Sequence, residues 1–257
     1  MPPQPESEQP ARHVAVTGAS RGLGRAIACA FARPGARIGV HYAHDAAAAA
    51  ETAQQIRARG AAAYTIHADF SCDDDTCRAA AAISAQQPRL DALVLNAGIA
   101  PVLRLAELDP QTWNRVLTVN YRAPVLLTRL LAPAALGAGG HVVMIGSLVG
   151  LRGEKGLAAY AAAKGALLGF VRDAAREFGG RRIAVNAVVP GLLPTAMTAH
   201  LGEERFARLA GENARGAGTT VAQVAAFIVA LTAMPHVSGQ VFFLDSRLWP
   251  DSGDRGA

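Results

Sequence analysis

Short apolar segments of strand-forming residues alternate with alanine-rich helical segments along almost the whole chain. Because a helix that joins two parallel strands crosses back over the sheet, this order predicts a parallel sheet covered on both faces. The predicted strands are His13–Val16, Arg37–His41, Ala63–His67, Ala92–Leu95, His141–Ile145, Ala184–Val188 and Val241–Leu244. The predicted helices are Gly24–Arg33, Ala46–Gly60, Asp75–Ala85, Asp109–Leu131, Leu157–Phe178 and Val221–Thr232. We therefore expect an α/β fold: a single doubly wound, Rossmann-like domain with a parallel seven-stranded sheet and helices on both faces.

The composition suits one domain of this size. Hydrophobic residues make up 51% and charged residues 18% of the 257 residues, which is enough apolar material for a large core. Residues 1–11 are rich in Pro, Gln and Glu and are predicted to form a disordered tail, so the domain is expected to span residues 12–257. No apolar run reaches the ~18 residues that a membrane span requires, so no membrane partner is expected.

Charge and cysteine usage argue against other function classes. The net charge is +5, but the arginines are scattered and no basic run is interleaved with aromatic residues, so nucleic-acid binding is not expected. Cys29, Cys72 and Cys77 are an odd number of cysteines in no metal or redox spacing. We therefore expect neither a metal site nor a disulfide, and a reducing, cytoplasmic location.

A glycine-rich turn, TGASRGLG, lies directly after the first predicted strand and before a helix. Glycines let the backbone approach a pyrophosphate closely, and the start of a helix offers unpaired N–H groups. A turn with three glycines can also be only a tight connection, but its placement here favours dinucleotide binding. The predicted phosphate-binding residues are Gly18, Ser20, Arg21, Gly22, Leu23 and Gly24.

The end of the second strand predicts which dinucleotide binds. An acidic residue there would hold a ribose 2′-OH and repel a 2′-phosphate. The chain has His41 and Tyr42 at that place and no acid before Asp45. Arg21 can pair with a phosphate on the same ribose, and His41 is predicted to add to this contact. These residues favour NADPH/NADP+ over NADH; the alternatives are that Arg21 is a surface residue and His41 a packed imidazole.

Four polar residues are placed for the chemistry of a carbonyl group. Tyr160 and Lys164 share a face of one predicted helix. Ser147 follows the fifth strand, and Asn120 lies in the long helix before that strand. Hydride addition to a carbonyl carbon leaves an alkoxide that needs a proton and hydrogen-bond donors. Tyr160 can supply the proton, Ser147 can orient the oxygen, and Asn120 can hold a water that resupplies the proton.

Lys164 and the oxidised nicotinamide ring are together predicted to lower the pKa of Tyr160. At an effective dielectric of about 20, an ammonium about 4 Å from a phenol favours the phenolate by about three pKa units. Each residue alone has a plainer reading: Tyr160 packs an interface, Lys164 is solvated and Ser147 caps a turn. The presence of all four residues at the positions that carbonyl reduction requires favours catalysis.

The sequence resembles the short-chain dehydrogenase/reductase family, and most of all its 3-oxoacyl-[acyl-carrier-protein] reductases. The segments that carry the resemblance are TGASRGLGRAIA (Thr17–Ala28), LNAG (Leu95–Gly98), Asn120, IGSLVG (Ile145–Gly150), YAAAKGALLGF (Tyr160–Phe170) and VNAVVPGLLPTAMT (Val185–Thr198). The resemblance implies that Asn120, Ser147, Tyr160 and Lys164 form a catalytic tetrad, with the last two also contacting the cofactor. The further cofactor contacts it implies are Asp69, with Phe70 beside it, at the adenine, Asn96, Ala97 and Gly98 along the adenosine, and Pro190, Gly191 and Thr195 at the nicotinamide. A homo-oligomer, a tetramer or a dimer, is implied as well.

The resemblance implies NADPH-dependent reduction of a 3-oxoacyl thioester, on acyl-carrier protein or CoA, in fatty-acid or polyene/polyketide biosynthesis. Two departures from the family pattern bear on the partner and the assembly. Ala132–Gly140 has no Lys or Arg where a carrier-docking base is common, although Arg181 keeps the other basic position. Ser246 and Arg247 follow Asp245 where the family usually has two glycines. The alternatives are another ketone or alcohol (steroid, sugar or quinone type) and a noncatalytic NADPH-binding subunit.

Substrate specificity is predicted to reside in segments near the motifs. Leu148, Leu157, Leu192 and Met197 are expected to line an apolar pocket, with ordinary core packing as the alternative. The charged, glycine-punctuated segment around residues 192–218 is expected to form a lid over the site.

Overall fold

Seven parallel strands form one sheet in the computed structural model, which describes residues 12–86 and 89–246. The strands are β1 (His13–Val16), β2 (Arg37–Tyr42), β3 (Ala62–His67), β4 (Leu90–Leu95), β5 (Leu136–Ile145), β6 (Ala184–Val189) and β7 (Val241–Phe243). Their order across the sheet is β3-β2-β1-β4-β5-β6-β7. The predicted doubly wound α/β fold is confirmed. The predicted N-terminal tail and Arg247 lie outside the described residues.

Helices connect the strands. They are α1 (Gly22–Ala30), α2 (Ala46–Arg57), α3 (Asp73–Gln86), α4 (Pro110–Leu117), α5 (Ala123–Ala134), α6 (Val149–Arg152), α7 (Ala158–Gly179), α8 (Glu203–Gly211) and α9 (Val221–Leu231). Within the described residues, no helix is long and apolar enough to cross a bilayer, and no group of three or more His, Cys, Asp or Glu side chains could hold a metal ion.

The main differences between the structure and the predicted elements lie in four places. The single helix predicted over Asp109–Leu131 is divided into α4 and α5 by a π-helical turn at Thr118–Arg122. α6 was not predicted, because its four residues are too few to show a helical period. α8 was not predicted either, because it lies in the charged, glycine-punctuated segment that was expected to form a lid. β5 begins five positions before the predicted His141, because its first residues include glycines with little strand propensity.

The core has two layers, one on each face of the sheet. Successive side chains of a strand point to opposite faces, so Val14 and Val16 of β1 lie in one layer and Ala15 lies in the other. Ile27 of α1 and Ile228 of α9 are fully buried in the first of these layers.

The sheet order reverses direction at β1. β2 lies on one side of β1 and β4 on the other, so the connections that leave the carboxyl ends of β1 and β4 diverge to opposite faces. A crevice opens at such a switch point and is where ligands of doubly wound sheets bind. The turns after β1, β4, β5 and β6, which carry the predicted site residues, all meet at this edge.

Candidate active site

The glycine-rich turn after β1 is fixed by hydrogen bonds from the two neighbouring strands. Gly18 has a left-handed φ of +62°. Its N–H donates to Nδ1 of His41 at 3.0 Å, and its carbonyl accepts from Nδ2 of Asn96 at 3.1 Å. The next N–H, that of Ala19, donates to the main-chain carbonyl of His41 at 2.8 Å. The first half of the turn is therefore held by the ends of β2 and β4.

The three glycines of the turn face different surroundings. A Cβ on Gly24 would lie 2.1 Å from the carbonyl oxygen of Gly18, and one on Gly18 would lie 2.9 Å from Cα of Ala97. Gly22 is exposed, and the nearest atom to a Cβ there belongs to Thr195 at 3.8 Å. Space therefore remains between Thr195 and the start of α1, where the first N–H groups of the helix have no partner within it. This cradle fits the phosphates of a dinucleotide.

The prediction that His41 contacts a 2′-phosphate is wrong. The side chain is only 3% exposed, its Nε2 lies 3.1 Å from the carbonyl oxygen of Ala68, and its ring stacks on Phe70 with centroids 3.9 Å apart. Because Nδ1 accepts the N–H of Gly18, Nε2 carries the proton and donates to Ala68. Burial lowers the pKa of His41 to about 4, so at pH 7 the ring has neither a positive charge nor a free N–H for a phosphate.

Arg21 stands at the edge of the cradle. It precedes α1 in an extended conformation and is exposed, and no carboxylate in the described part of the chain pairs with its guanidinium. Such a guanidinium is suited to a phosphate. Among its neighbours in the predicted set, Leu23 has a buried side chain and offers only main-chain groups, and the carbonyl of Ser20 already accepts from the hydroxyl of Thr52 at 3.1 Å.

The residues predicted near the adenine lie at the ends of β2 and β3. Tyr42 ends β2 and is partly buried. The side chain of Phe70 is buried against His41, so only its main chain is left for the predicted cofactor contact, which stays a prediction. Asp69 is partly exposed, and its Oδ1 accepts from the N–H of Ser71 at 2.9 Å. That hydrogen bond lowers the pKa of Asp69, and the contact of its carboxylate with the adenine stays a prediction.

Thr17 and Asn96 tie β1 to β4. Oγ1 of Thr17 accepts from the N–H of Asn96 at 2.9 Å and of Ala97 at 3.0 Å. Nδ2 of Asn96 donates to the carbonyl of Thr17 at 3.0 Å, so this amide holds the turn instead of facing a ligand. Gly98 packs against the amide of Asn120, whose Oδ1 would lie 2.5 Å from a Cβ. The role of Thr17 was not predicted; the available signal was a hydroxyl directly after a buried strand.

Ser147 follows β5 and is placed beside α7 by the short helix α6. Its Oγ accepts from the N–H of Val149 at 3.2 Å. A Cβ on Gly150 would lie 2.7 Å from the main-chain carbon of Lys164, and one on Gly165 would lie 2.9 Å from the carbonyl oxygen of Gly150. The two glycines therefore let α6 pack directly on α7, a positioning role that the sequence reasoning missed.

Tyr160 and Lys164 lie one turn apart on α7, as predicted. Nζ of Lys164 lies 5.7 Å from the centroid of the Tyr160 ring and donates to the carbonyl of Ile145, at the end of β5, at 2.7 Å. Lys164 is 3% exposed. The structure thus brings Ser147, Tyr160 and Lys164 together at the carboxyl edge of the sheet.

Burial governs the protonation of this group in the ligand-free protein. Burial raises the pKa of the Tyr160 phenol, and its hydrogen bond with Ser147 offsets only part of that rise. Desolvation is thus the largest effect on the phenol of the ligand-free protein, and the lowering expected from Lys164 together with the oxidised nicotinamide ring stays a prediction for the cofactor complex. Burial lowers the pKa of Lys164 itself to about 8. At pH 7 the phenol holds its proton and the lysine is mostly charged.

Asn120 lies in the π-helical turn and is fully buried. Its Nδ2 donates to the carbonyls of Ile99 at 2.8 Å and Val116 at 2.9 Å, and its Oδ1 accepts from the N–H of Ile99 at 3.2 Å. The side chain is thus occupied in holding the turn after β4. Because residue 124 is a proline without an N–H, the helix cannot supply the usual partner for the main-chain carbonyl of Asn120. The water that Asn120 is predicted to hold stays a prediction.

The segment after β6 returns over the cradle. Pro190 is buried, and Gly191 has φ +78° with a carboxylate oxygen of Asp245 2.5 Å from the position of a Cβ. Thr195 follows and faces Gly22 across the open space. Thr195 therefore borders the same cradle as the glycine-rich turn, and the contacts of Pro190, Gly191 and Thr195 with the nicotinamide ring stay a prediction.

The predicted pocket residues differ in exposure. Leu148 is partly buried and packs against one core layer, so core packing accounts for much of its side chain. Leu157 and Leu192 are partly exposed, and Met197 is 42% exposed. In the predicted lid, α8 contacts the loop before α7 through Arg205 and Glu154, whose charged atoms are 3.5 Å apart.

The comparisons with known proteins agree with this geometry. A family model described as short chain dehydrogenase matches residues 12–205. A 3-oxoacyl-[acyl-carrier-protein] reductase of Synechocystis sp. is 32% identical over 234 residues, which cover 91% of this chain and 95% of that protein.

Solved structures are similar over the same extent. A short chain dehydrogenase from Burkholderia cenocepacia in complex with NADP has a TM-score of 0.87 and 31% identity, covering 92% of this chain and 97% of that one. The angucycline C-6 ketoreductase LanV with bound NADP has a TM-score of 0.82 and 29% identity, covering 91% and 93%. The resemblance inferred from the motifs is confirmed, and the chain belongs to the short-chain dehydrogenase/reductase family of oxidoreductases.

Proposed function

We propose that this protein reduces the keto group of a 3-oxoacyl thioester to a 3-hydroxyacyl thioester with NADPH, in the cytoplasm. The observation that carries the proposal is the convergence of Ser147, Tyr160 and Lys164 at the edge of the sheet that also holds the phosphate cradle. The similarity to a 3-oxoacyl-[acyl-carrier-protein] reductase supports the substrate class.

The side chains divide the chemistry between them. NADPH, when bound, supplies a hydride to the carbonyl carbon. The substrate oxygen accepts hydrogen bonds from the hydroxyls of Ser147 and Tyr160, and Tyr160 transfers its proton to that oxygen as negative charge develops there. The carbonyl thus becomes a secondary alcohol, and the phenolate left on Tyr160 is reprotonated from solvent.

The pKa directions favour reduction. Because burial raises the pKa of Tyr160, the phenol is fully protonated at pH 7 and ready to act as an acid. The charged Lys164, whose Nζ lies 5.7 Å from the ring centroid, stabilises the phenolate that proton transfer creates. Asn120 acts indirectly, because its amide holds the loop at Ile99.

Exposed apolar side chains at the carboxyl edge support an apolar substrate. Val102 is 52%, Leu151 is 44% and Met197 is 42% exposed, and they belong to the connections after β4, β5 and β6 respectively. Such side chains suit an acyl chain better than a sugar. They also suit a flat polycyclic ketone, and the similarity to an angucycline ketoreductase makes this the second candidate.

A substrate panel tests the proposal. NADPH oxidation is followed with a 3-oxoacyl-carrier protein, the matching 3-oxoacyl-CoA and a polycyclic aromatic ketone. The proposal expects the highest kcat/KM with a thioester; turnover of the ketone alone would favour the second candidate.

The carrier protein is tested separately. Arg181 is exposed, and its guanidinium donates to the carbonyl of Pro133 at 3.2 Å, at the segment that lacks other basic residues. If an acidic carrier docks there, Arg181→Ala lowers kcat/KM for the carrier-bound substrate and leaves the CoA substrate unchanged. Arg176→Ala, at an exposed position of α7, is the matched control. An equal effect on both substrates would argue against docking at Arg181.

We also propose a homo-oligomer, either a dimer or a tetramer. Phe243, on the edge strand β7, is 43% exposed, which supports a contact between copies at that edge. Sedimentation velocity measures the oligomeric state. A single monomeric species at micromolar concentration would contradict the proposal.

A further inference from the structure

His41 is the buried titratable group at the cofactor end that the proposed chemistry does not use. It sits at the end of β2, under the glycine-rich turn, and is 3% exposed. Its ring touches the turn at one nitrogen and the end of β3 at the other, because Nδ1 accepts from Gly18 at 3.0 Å and Nε2 donates to Ala68 at 3.1 Å. Phe70 holds the ring plane by stacking at 3.9 Å with an interplanar angle of 2°.

The N–H that His41 accepts belongs to a residue of the turn that is held from both sides. Gly18 has φ +62°, and its carbonyl is held from the opposite side by Asn96. With both ends of this peptide segment bonded, the turn is fixed before any ligand arrives. The Gly18 N–H points into the protein, so the N–H groups left for phosphates are those at the start of α1.

We propose that His41 is a positioning residue for the cofactor: through the Gly18 N–H it holds the phosphate-binding turn in the conformation that receives NADPH. Without this acceptor, the Gly18 N–H is buried and unpaired, and the turn gains conformations that do not bind. NADPH must then order the turn on binding, which weakens its affinity. The inference rests on the proposed use of NADPH, and it assigns His41 no contact with the cofactor itself.

Two substitutions separate the two ring nitrogens. An Asn side chain places its amide where Nδ1 stands, so His41→Asn keeps an acceptor for Gly18 and loses the bond to Ala68. A Gln side chain places its amide where Nε2 stands, so His41→Gln keeps the donor to Ala68 and loses the acceptor for Gly18. Each variant loses one buried hydrogen bond, so a purely structural role predicts similar losses of stability and similar affinities.

The experiment is a fluorescence titration of NADPH with the full chain, paired with thermal unfolding of the ligand-free protein. We expect Tm to fall in both variants. We expect the Kd of His41→Gln to rise about tenfold or more and that of His41→Asn to stay within about threefold of wild type. His141→Gln is the matched control, because His141 is also 3% exposed but lies where the pairing of β5 with β6 begins, at the amino edge of the sheet. Equal Kd values for the Asn and Gln variants would overturn the inference.

A measurement on the wild-type protein covers the case in which a variant does not fold. Amide hydrogen exchange of the ligand-free protein should show the Gly18 and Ala19 N–H groups protected to the same degree as those within β2. Rapid exchange at Gly18 would overturn the inference even if NADPH binds. If NADPH does not bind to the wild-type protein while Gly18 is protected, the proposed cofactor fails and the role of His41 in fixing the turn stands.

Discussion

Lys164 should titrate near pH 8 and make the stability of the protein rise with pH. Its pKa falls from 10.5 to about 8 because the side chain is buried, with one hydrogen bond to Ile145 at 2.7 Å. A shift of that size corresponds to about 3 kcal/mol between the charged and neutral forms in the folded state.

The sign follows from the protons bound in each state. Below pH 8 the lysine is charged in the folded and the unfolded protein, so its burial cost is fully present. Between pH 8 and 10.5 the unfolded state keeps a proton that the folded state has released, and the free energy of unfolding rises by about 1.4 kcal/mol per pH unit. Lys164→Met lacks this dependence. The wild-type free energy of unfolding minus that of Lys164→Met should therefore increase by about 2 kcal/mol from pH 7.5 to 9.5.

Two assays measure this directly. Urea unfolding of both proteins across that pH range gives the difference in free energy. NMR of protein labelled with ¹³C at lysine Cε gives the titration itself, and only two resonances are expected, because Lys155 and Lys164 are the only lysines in the chain. The signal missing from Lys164→Met identifies the buried residue. A pH-independent difference in unfolding free energy, together with a Lys164 signal that titrates near 10.5, would refute the reasoning.

Three further substitutions test the cofactor cradle and the buried amide. Arg21→Ala should weaken NADPH binding about 10- to 100-fold by removing a charged contact to the 2′-phosphate, and leave the Kd of NADH unchanged; equal losses for both cofactors would contradict that role. Gly24→Ala should abolish NADPH binding in a titration, since its Cβ would lie 2.1 Å from the Gly18 carbonyl; Gly169→Ala, with no atom within 4 Å of the new Cβ, is the control and should bind normally. Asn120→Leu should lower the free energy of urea unfolding by about 2 kcal/mol or more, because the N–H and carbonyl of Ile99 lose their partners; an unchanged midpoint and slope would show that the amide is dispensable.

The sheet and the cluster of Ser147, Tyr160 and Lys164 could be predicted because their signals are local. Alternating apolar strands and helices fix a doubly wound order, and a spacing of four residues on one helix places Tyr160 and Lys164 on one face. The position of Ser147 after a buried strand carries the same kind of information.

Features that depend on tertiary surroundings could not be read from the sequence. His41 stands where a phosphate ligand was expected, but its direction into the protein is set by Gly18, Ala68 and Phe70, which come from three different segments. The direction of the Tyr160 pKa shift depends on desolvation, which spacing does not reveal. The π-helical turn at Asn120 leaves no periodic signal in a stretch of helix-forming residues.

Tyr160→Phe tests the central claim, that this phenol donates the proton to the substrate oxygen. The change removes one oxygen and keeps the ring, so NADPH should bind with a Kd within about threefold of wild type. Single-turnover NADPH oxidation with a 3-oxoacyl thioester should slow by about a hundredfold or more, which is the usual contribution of a positioned general acid. Wild-type turnover by Tyr160→Phe, with the fold and NADPH binding intact, would contradict it.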